Sequence, residues 1–139
     1  MEMVKMLKIR IYPDEEDKAL LIESMHAYIA GCNYVSEYVF TSKDLSAASV
    51  QKETYYHIRK AFALPAQMAC NVARQVTGAY KAIKVNGQEW TKCRFRSPVM
   101  TLSWNRDYSL NNERFSIGTL KGRIRTDCYE MTAVKGLVT

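Results

Sequence analysis

The hydrophobic period changes twice along this chain, and that double change limits the folds open to it. In "MLKIRIYP", Leu7, Ile9 and Ile11 alternate with Lys8, Arg10 and Tyr12, the two-residue period of a half-buried strand. Pro13 stops the strand. The acids Asp14, Glu15, Glu16 and Asp17 then supply a helix start whose charge suits the N-terminal end of the macrodipole. From Ala19 to Phe40 the spacing becomes helical, with Leu21, Ile22, Met25, Ile29, Cys32, Val35 and Val39 on one stripe. Gly31 inside that helix points to close packing or a kink. The cap-rich "TSKDLSAAS" leads to a second helix around Ala48–Phe62 carrying Val50, Tyr55, Ile58 and Phe62. A third begins at Pro65, which suits a first helical turn, and turns Met68, Ala69, Val72, Ala73, Val76 and Ile83 inward with Tyr80 nearby. Asn86-Gly87 ends it.

From Lys92 the period returns to two. "KCRFR", "VMTLSW", "RFSIG" and "GRIRTDCY" read as four short strands, with Ser-Pro, Asn-Arg-Asp, Asn-Asn-Glu and Leu-Lys-Gly as their turns. One strand, three helices and four strands make an α+β chain, with the helices inserted between the first strand of a small sheet or barrel and the rest of it. No internal repeat interrupts that order.

The positive charge is unevenly spread. Met1–Phe62 carries 8 Lys and Arg against 9 Asp and Glu, while Ala63–Thr139 carries 12 against 5, so the whole +6 excess lies in the second part. Such asymmetry points toward a polyanionic partner. No stretch approaches the ~18 consecutive apolar residues of a membrane span, and the charged N-terminus has no secretory core. A cytoplasmic location, without membrane association, is expected. Cys32, Cys70, Cys93 and Cys128 stand singly, with no metal-ligand spacing to each other or to His26 and His57, so reduced and mostly buried thiols are expected.

No nucleophilic triad, glycine-rich phosphate loop or zinc-protease motif is present, so the reading is non-enzymatic, without cofactor or metal. The lone histidines read as surface or satisfied core residues, and the Asp14–Asp17 run reads as a helix start. What remains is a set of cations that could neutralise phosphates. Arg59 and Lys60 end the second helix, and Arg74, Lys81 and Lys84 lie off the apolar stripe of the third. Lys92, Arg94 and Arg96 alternate along the first returning strand. Arg106, Arg114, Lys121, Arg123 and Arg125 follow from later strands and turns. Trp90, Trp104, Tyr108 and Phe115 interleave with them and could stack on exposed bases, although Trp104 also suits a core position.

Several phrases together resemble the N-terminal region of the TnpB (OrfB) transposon-encoded RNA-guided nucleases, relatives of the type V CRISPR effectors. They are "LKIRIYPDEED", "CNYVSEYVF", "LPAQMACNVARQVTGAYKAIK", "FRSPVMTLSWNRDYSL" and "FSIGTLKGRIR", in the family's order. Asp17 stands where the family usually has glutamine. The resemblance implies an OB-like wedge β-barrel formed by residues 1–13 and 91–139, with a three-helix recognition lobe, 14–90, inserted. It implies binding of structured guide RNA and of the RNA–DNA heteroduplex through backbone and shape. Arg74 and Lys81 would then meet the duplex, and Lys92, Arg94, Arg96, Lys121, Arg123 and Arg125 the RNA backbone. The family's nuclease domain and its three metal-binding carboxylates have no counterpart in the sequence. Binding without cleavage follows as the expectation, with a separate nuclease chain as a further partner compatible with it. The alternatives are a protein that mimics this module and docks on an effector nuclease, as a partner or inhibitor, and a non-functional transposase remnant.

Overall fold

The computed structural model describes residues 9–96, 102, 108–111 and 114–130. The chain is α+β. Strand β1 (Ile9–Ile11) is followed by helices α1 (Glu15–Ser42), α2 (Ala47–Phe62) and α3 (Ala66–Val85), then strands β2 (Tyr108–Asn111), β3 (Arg114–Thr119) and β4 (Gly122–Glu130). Among the described residues no helix is long and apolar enough to cross a membrane.

The acidic run does start a helix. Asp14 is the N-cap of α1, its carboxylate accepting the Asp17 amide at 2.8 Å, and Glu15, Glu16 and Asp17 fill the first turn. Among the described residues no three His, Cys, Asp or Glu side chains gather as a metal site. Helix α2 is capped by Ser46, whose hydroxyl accepts the Ser49 amide at 3.3 Å. Asp44 braces the same turn, and its bonds from the Ser49 side chain and the Ser46 amide hold its carboxyl below the ordinary range. Pro65 immediately precedes α3 and takes no side-chain cap. Lys43 and Ala63 close the first two helices in the left-handed conformation, at φ 59° and 56°.

The three helices share one core centred on Tyr28, Val35 and Val39 of α1, Val50 and Ile58 of α2, and Met68, Val72 and Val76 of α3. The apolar stripe expected on α1 is displaced. Ile22 is 45% exposed and Met25 and Ile29 are half-buried, whereas Ser24, Tyr28, Gly31 and Ser36 face inward. The polar members can be buried because each is bonded. Ser24 Oγ donates to the Leu20 carbonyl at 2.7 Å, and Tyr28 donates to Gln75 of α3 at 2.8 Å. Gly31 provides a close approach of the helices: a Cβ there would lie 2.9 Å from Leu64 Cδ1.

The sheet order is β1-β4-β3-β2, all antiparallel. The sheet is open among the described residues, with β1 and β2 as its edges, so the expected barrel closure is not found there. Strand β2, which periodicity did not mark, pairs Tyr108 with Ile117 and Leu110 with Phe115. "VMTLSW" lies outside the described residues except for the half-buried Leu102. Ile117 and Ile124 pair across β3 and β4 and pack against Leu21 in a second, smaller core with Ile11, Leu20, Leu102 and Phe115. Ser24 joins helices and sheet, accepting the Leu120 amide at 3.1 Å.

"KCRFR" is not a strand. Residues 88–96 run without regular secondary structure against the helical core, to which Trp90, Cys93 and Phe95 pack. The alternation is real, but its neighbours are side chains of α1 and α3 and not another strand's backbone.

Candidate functional site

The 90–96 segment is held residue by residue. Trp90 donates its indole N–H to the Phe40 carbonyl at 3.2 Å and packs against the Phe40 and Tyr80 rings. The Cys93 amide donates to Tyr80 Oη at 3.0 Å, and the Cys93 carbonyl accepts from Ser36 Oγ. Tyr80 and Ser36 are bonded to each other at 2.8 Å. Asn33 bonds both backbone groups of Phe95, at 2.8 and 3.0 Å. With the inward residues fixed, Lys92, Arg94 and Arg96 are exposed. Lys92 is partly neutralised by Glu37 at 2.8 Å and sits 5.5 Å from the Phe40 ring centroid. Trp90 is therefore a packing residue, not a stacking platform. Burial pushes the Cys93 thiol up, with the Tyr80 bond opposing it, and burial takes the Cys32 thiol up to about 12.

On α3, Arg74, Lys81 and Lys84 are exposed, as their position off the stripe requires. Arg74, Gly78 and Lys81 fall on one side of the helix at i, i+4 and i+7. Gly78 is exposed, and a Cβ added there would meet nothing within 4 Å. At the end of α2, Arg59 and Lys60 are exposed where cations favour the helix dipole. Arg59 also braces the turn into α3. Its Nε donates to the Leu64 carbonyl at 3.2 Å, and its guanidinium lies 5.6 Å from the Tyr55 ring centroid.

The register of the sheet assembles a further group. Directly opposed residues share a face, and Ile117↔Ile124 and Phe115↔Thr126 face the small core. The outer face then carries Arg114 and Ser116 of β3 beside Arg123, Arg125 and Asp127 of β4, with Arg10 of β1 on the same side. All four arginines are exposed. Arg123 Nε donates to Ser116 Oγ at 2.6 Å, and Arg114 lies 3.6 Å from Asp127. Arg10 was not among the site residues expected from the sequence. Its outward position in the strand was visible, but its neighbours come from more than a hundred residues away. Lys121 is exposed at the β3–β4 turn, and Arg106 lies outside the described residues.

Two of the four expected stacking aromatics, Trp90 and Phe115, are packing residues instead. Phe115 belongs to the small core, where its ring centroid lies 6.1 Å from that of Tyr108. Trp104 lies outside the described residues. Among the described residues, the aromatic rings that do face solvent are Tyr12 and Tyr56, 53% and 80% exposed, and Tyr34 at 39%. Tyr34 stacks on His57 at 4.0 Å, so His57 has a partner that its own helix did not reveal. The cations thus fall on the α3 surface, the 92–96 edge and the outer sheet face. A cleft between the α2–α3 turn and the β3–β4 hairpin brings Arg59 and Arg123 to one place. Comparison with family models, with curated protein sequences and with solved structures gives no match for this chain.

Proposed function

We propose that this chain is a nucleic-acid-binding module that grips structured RNA and RNA–DNA heteroduplex by their phosphate backbones, without itself cutting them. On this reading the TnpB-like phrases mark a wedge-and-recognition module, with the sheet as the wedge and the three helices as the recognition lobe. The observation that carries the proposal is the outer sheet face. Four exposed arginines, Arg10, Arg114, Arg123 and Arg125, share it with one described carboxylate, Asp127. A fixed array of guanidinium groups on a rigid sheet suits repeated phosphates, because arginine offers its donors in a planar fork and releases condensed counterions on binding. Arg74, Lys81 and Lys84 on α3, and Arg94 and Arg96 beside it, would extend the contact to a second strand.

Filter binding of a structured RNA and of a short RNA–DNA heteroduplex, over a series of salt concentrations, tests the proposal. Affinity should fall steeply with salt. Replacing Arg123 and Arg125 together by glutamine should lower the slope by about two while weakening all sequences alike. Affinity that does not respond to salt would sink the proposal. So would capture of a protein partner that survives nuclease treatment while RNA binding is absent.

A further inference from the structure

A separate cavity of about 340 Å³ lies where the C-terminal ends of α1 and α3 meet the start of the 88–96 segment. Lys43 and Lys84 line it together with Leu45, Gln88 and Trp90. No carboxylate lines it. Asp44 and Glu89, the acids adjacent in sequence, lie outside the lining, and the Asp44 carboxylate is taken up by the Ser46 amide and the Ser49 side chain.

Both lysines stand at helix C-termini, where a cation offsets the macrodipole, and that role alone would need no cavity. Three observations go further. Among the described residues neither ammonium bonds a carboxylate or a helix-end carbonyl. The carbonyls at the end of α3 are already taken, since Ala82, Ile83 and Lys84 accept the amides of Asn86, Gln88 and Gly87. Next, Lys43 is held at φ 59°, a left-handed conformation that glycine adopts at less cost. A lysine one residue earlier, at the helical Ser42 position, would offset the dipole without that strain. Strain kept at a residue that lines a cavity points to a use for its side chain. Last, the Trp90 wall is fixed in advance, with the indole N–H on the Phe40 carbonyl at 3.2 Å and the ring packed on Phe40 and Tyr80.

We propose that this cavity binds an organic monophosphate, with Lys43 and Lys84 on the phosphate and Leu45 and Trp90 against the attached apolar or aromatic body. Two ammonium charges outweigh the roughly −0.5 charge at each helix end, so the cavity selects an anion. A phosphate monoester carries about −1.5 to −2 at neutral pH and balances two lysines, which a single carboxylate does not. Lysine meets phosphate as a compact point charge with three donors. The volume stands at the lower end of the ~300–1,000 Å³ range of small-molecule sites, enough for a ring-sized body. Inorganic phosphate would leave the Leu45–Trp90 wall unused. For a phosphate that ends an RNA strand, the inference rests on the function proposed above, with Lys84 common to the α3 surface and the cavity. For a free organic phosphate it stands alone.

The test uses the full isotopically labelled chain and follows backbone amide and indole N–H shifts. Its ligands are phenyl phosphate, inorganic phosphate, benzoate, and oligouridine with a 5′-phosphate or a 5′-hydroxyl. Phenyl phosphate should shift the Leu45, Gly87 and Gln88 amides and the Trp90 indole, and should bind about fivefold or more tightly than inorganic phosphate. Lys43→Gly and Lys84→Gln should each weaken phenyl phosphate by about fivefold or more. Lys18→Ala, near the start of α1, should leave it unchanged. Lys43→Gly relieves the strained backbone, so its thermal midpoint should be no lower than that of the native chain, and its loss of binding then reports the lost ammonium and not a lost fold. Shifts from 5′-phosphorylated oligouridine and none from its 5′-hydroxyl form would support a strand end as the source, and shifts from phenyl phosphate alone a free organic phosphate. Equal affinity for inorganic phosphate, or for benzoate, would overturn the assignment, as would unchanged affinity in both lysine variants. Absence of cavity shifts, with salt-sensitive binding of structured RNA intact, would overturn the cavity alone. Phenyl phosphate binding without any RNA binding would keep the cavity and overturn the wider function.

Discussion

Asn33 on α1 holds Phe95 by both of its backbone groups, its Oδ1 accepting the Phe95 amide at 2.8 Å and its Nδ2 donating to the Phe95 carbonyl at 3.0 Å. One side-chain amide thereby does for this segment what a neighbouring strand would do in a sheet. Asn33→Ala should release both bonds and cost about 1–3 kcal/mol. Urea denaturation measures the loss, and hydrogen exchange at Phe95 should accelerate more than at Val76. An unchanged Phe95 exchange rate would show that the segment is held by its packing alone.

Gly31 and Leu64 meet so closely that a methyl group at Gly31 would lie 2.9 Å from Leu64 Cδ1. Gly31→Ala gains about 1 kcal/mol of helix propensity, but overpacking costs about 1–3 kcal/mol. With Leu64 only 2% exposed, net destabilisation is expected. Combined with Leu64→Val, the Gly31→Ala penalty should shrink, a coupling that a double-mutant cycle in chemical denaturation reads directly.

Two reciprocal substitutions should both stabilise. Gly78 sits in the interior of α3 with open space around it, so Gly78→Ala should gain about 0.5–1 kcal/mol. Ala63 ends α2 at φ 56°, where a Cβ is strained, so Ala63→Gly should gain about 1 kcal/mol. Thermal unfolding should show a higher midpoint for each. A fall for Gly78→Ala would mean that something else packs on that face.

Burial takes the Cys32 thiol from its ordinary value near 9 up to about 12. The folded state therefore favours the neutral thiol. The stability tied to it is fully present below pH 9 and is lost as pH rises from about 9 toward about 12, by at most about 1.4 kcal/mol per pH unit. Cys32→Ala should remove that component, so the difference in unfolding free energy between the two proteins should shrink above pH 9. At pH 8 native Cys32 should resist alkylation and become labelled only on unfolding, as peptide mass spectrometry can follow.

Much of the architecture could be read from local pattern, and the misses share a cause. Helix α3 follows its stripe and starts just after Pro65, and the acids at 14–17 begin α1 as their charge suggests. The inward face of α1 was misplaced because Ser24, Tyr28 and Ser36 look like surface residues until Leu20, Gln75, Tyr80 and Cys93 satisfy them. The 92–96 segment shows a strand's alternation, but Asn33, Ser36 and Tyr80 serve as its partners, and no periodicity records that. Strand β2 is four residues with serine and asparagine among them, so it carries little signal without β3 beside it. Of the described cations, exposure was legible throughout. Their grouping across the outer sheet face and at the cleft was not, because strand register and the approach of the hairpin to the α2–α3 turn set it.

Residues 9–11 pair with residues 128–130, so among the described residues the first strand finds its sheet neighbour in the last. During synthesis that partner emerges some 120 residues after β1. The helices and the β2–β3–β4 meander can close through nearer contacts, whereas β1 must wait, at the entropic cost of closing a long loop. Arg10 therefore joins the other three arginines only after residues 128–130 have been made. A chain that has emerged only as far as the helices would carry the helical body and lack the four-arginine face, so that surface is assembled last among the described elements.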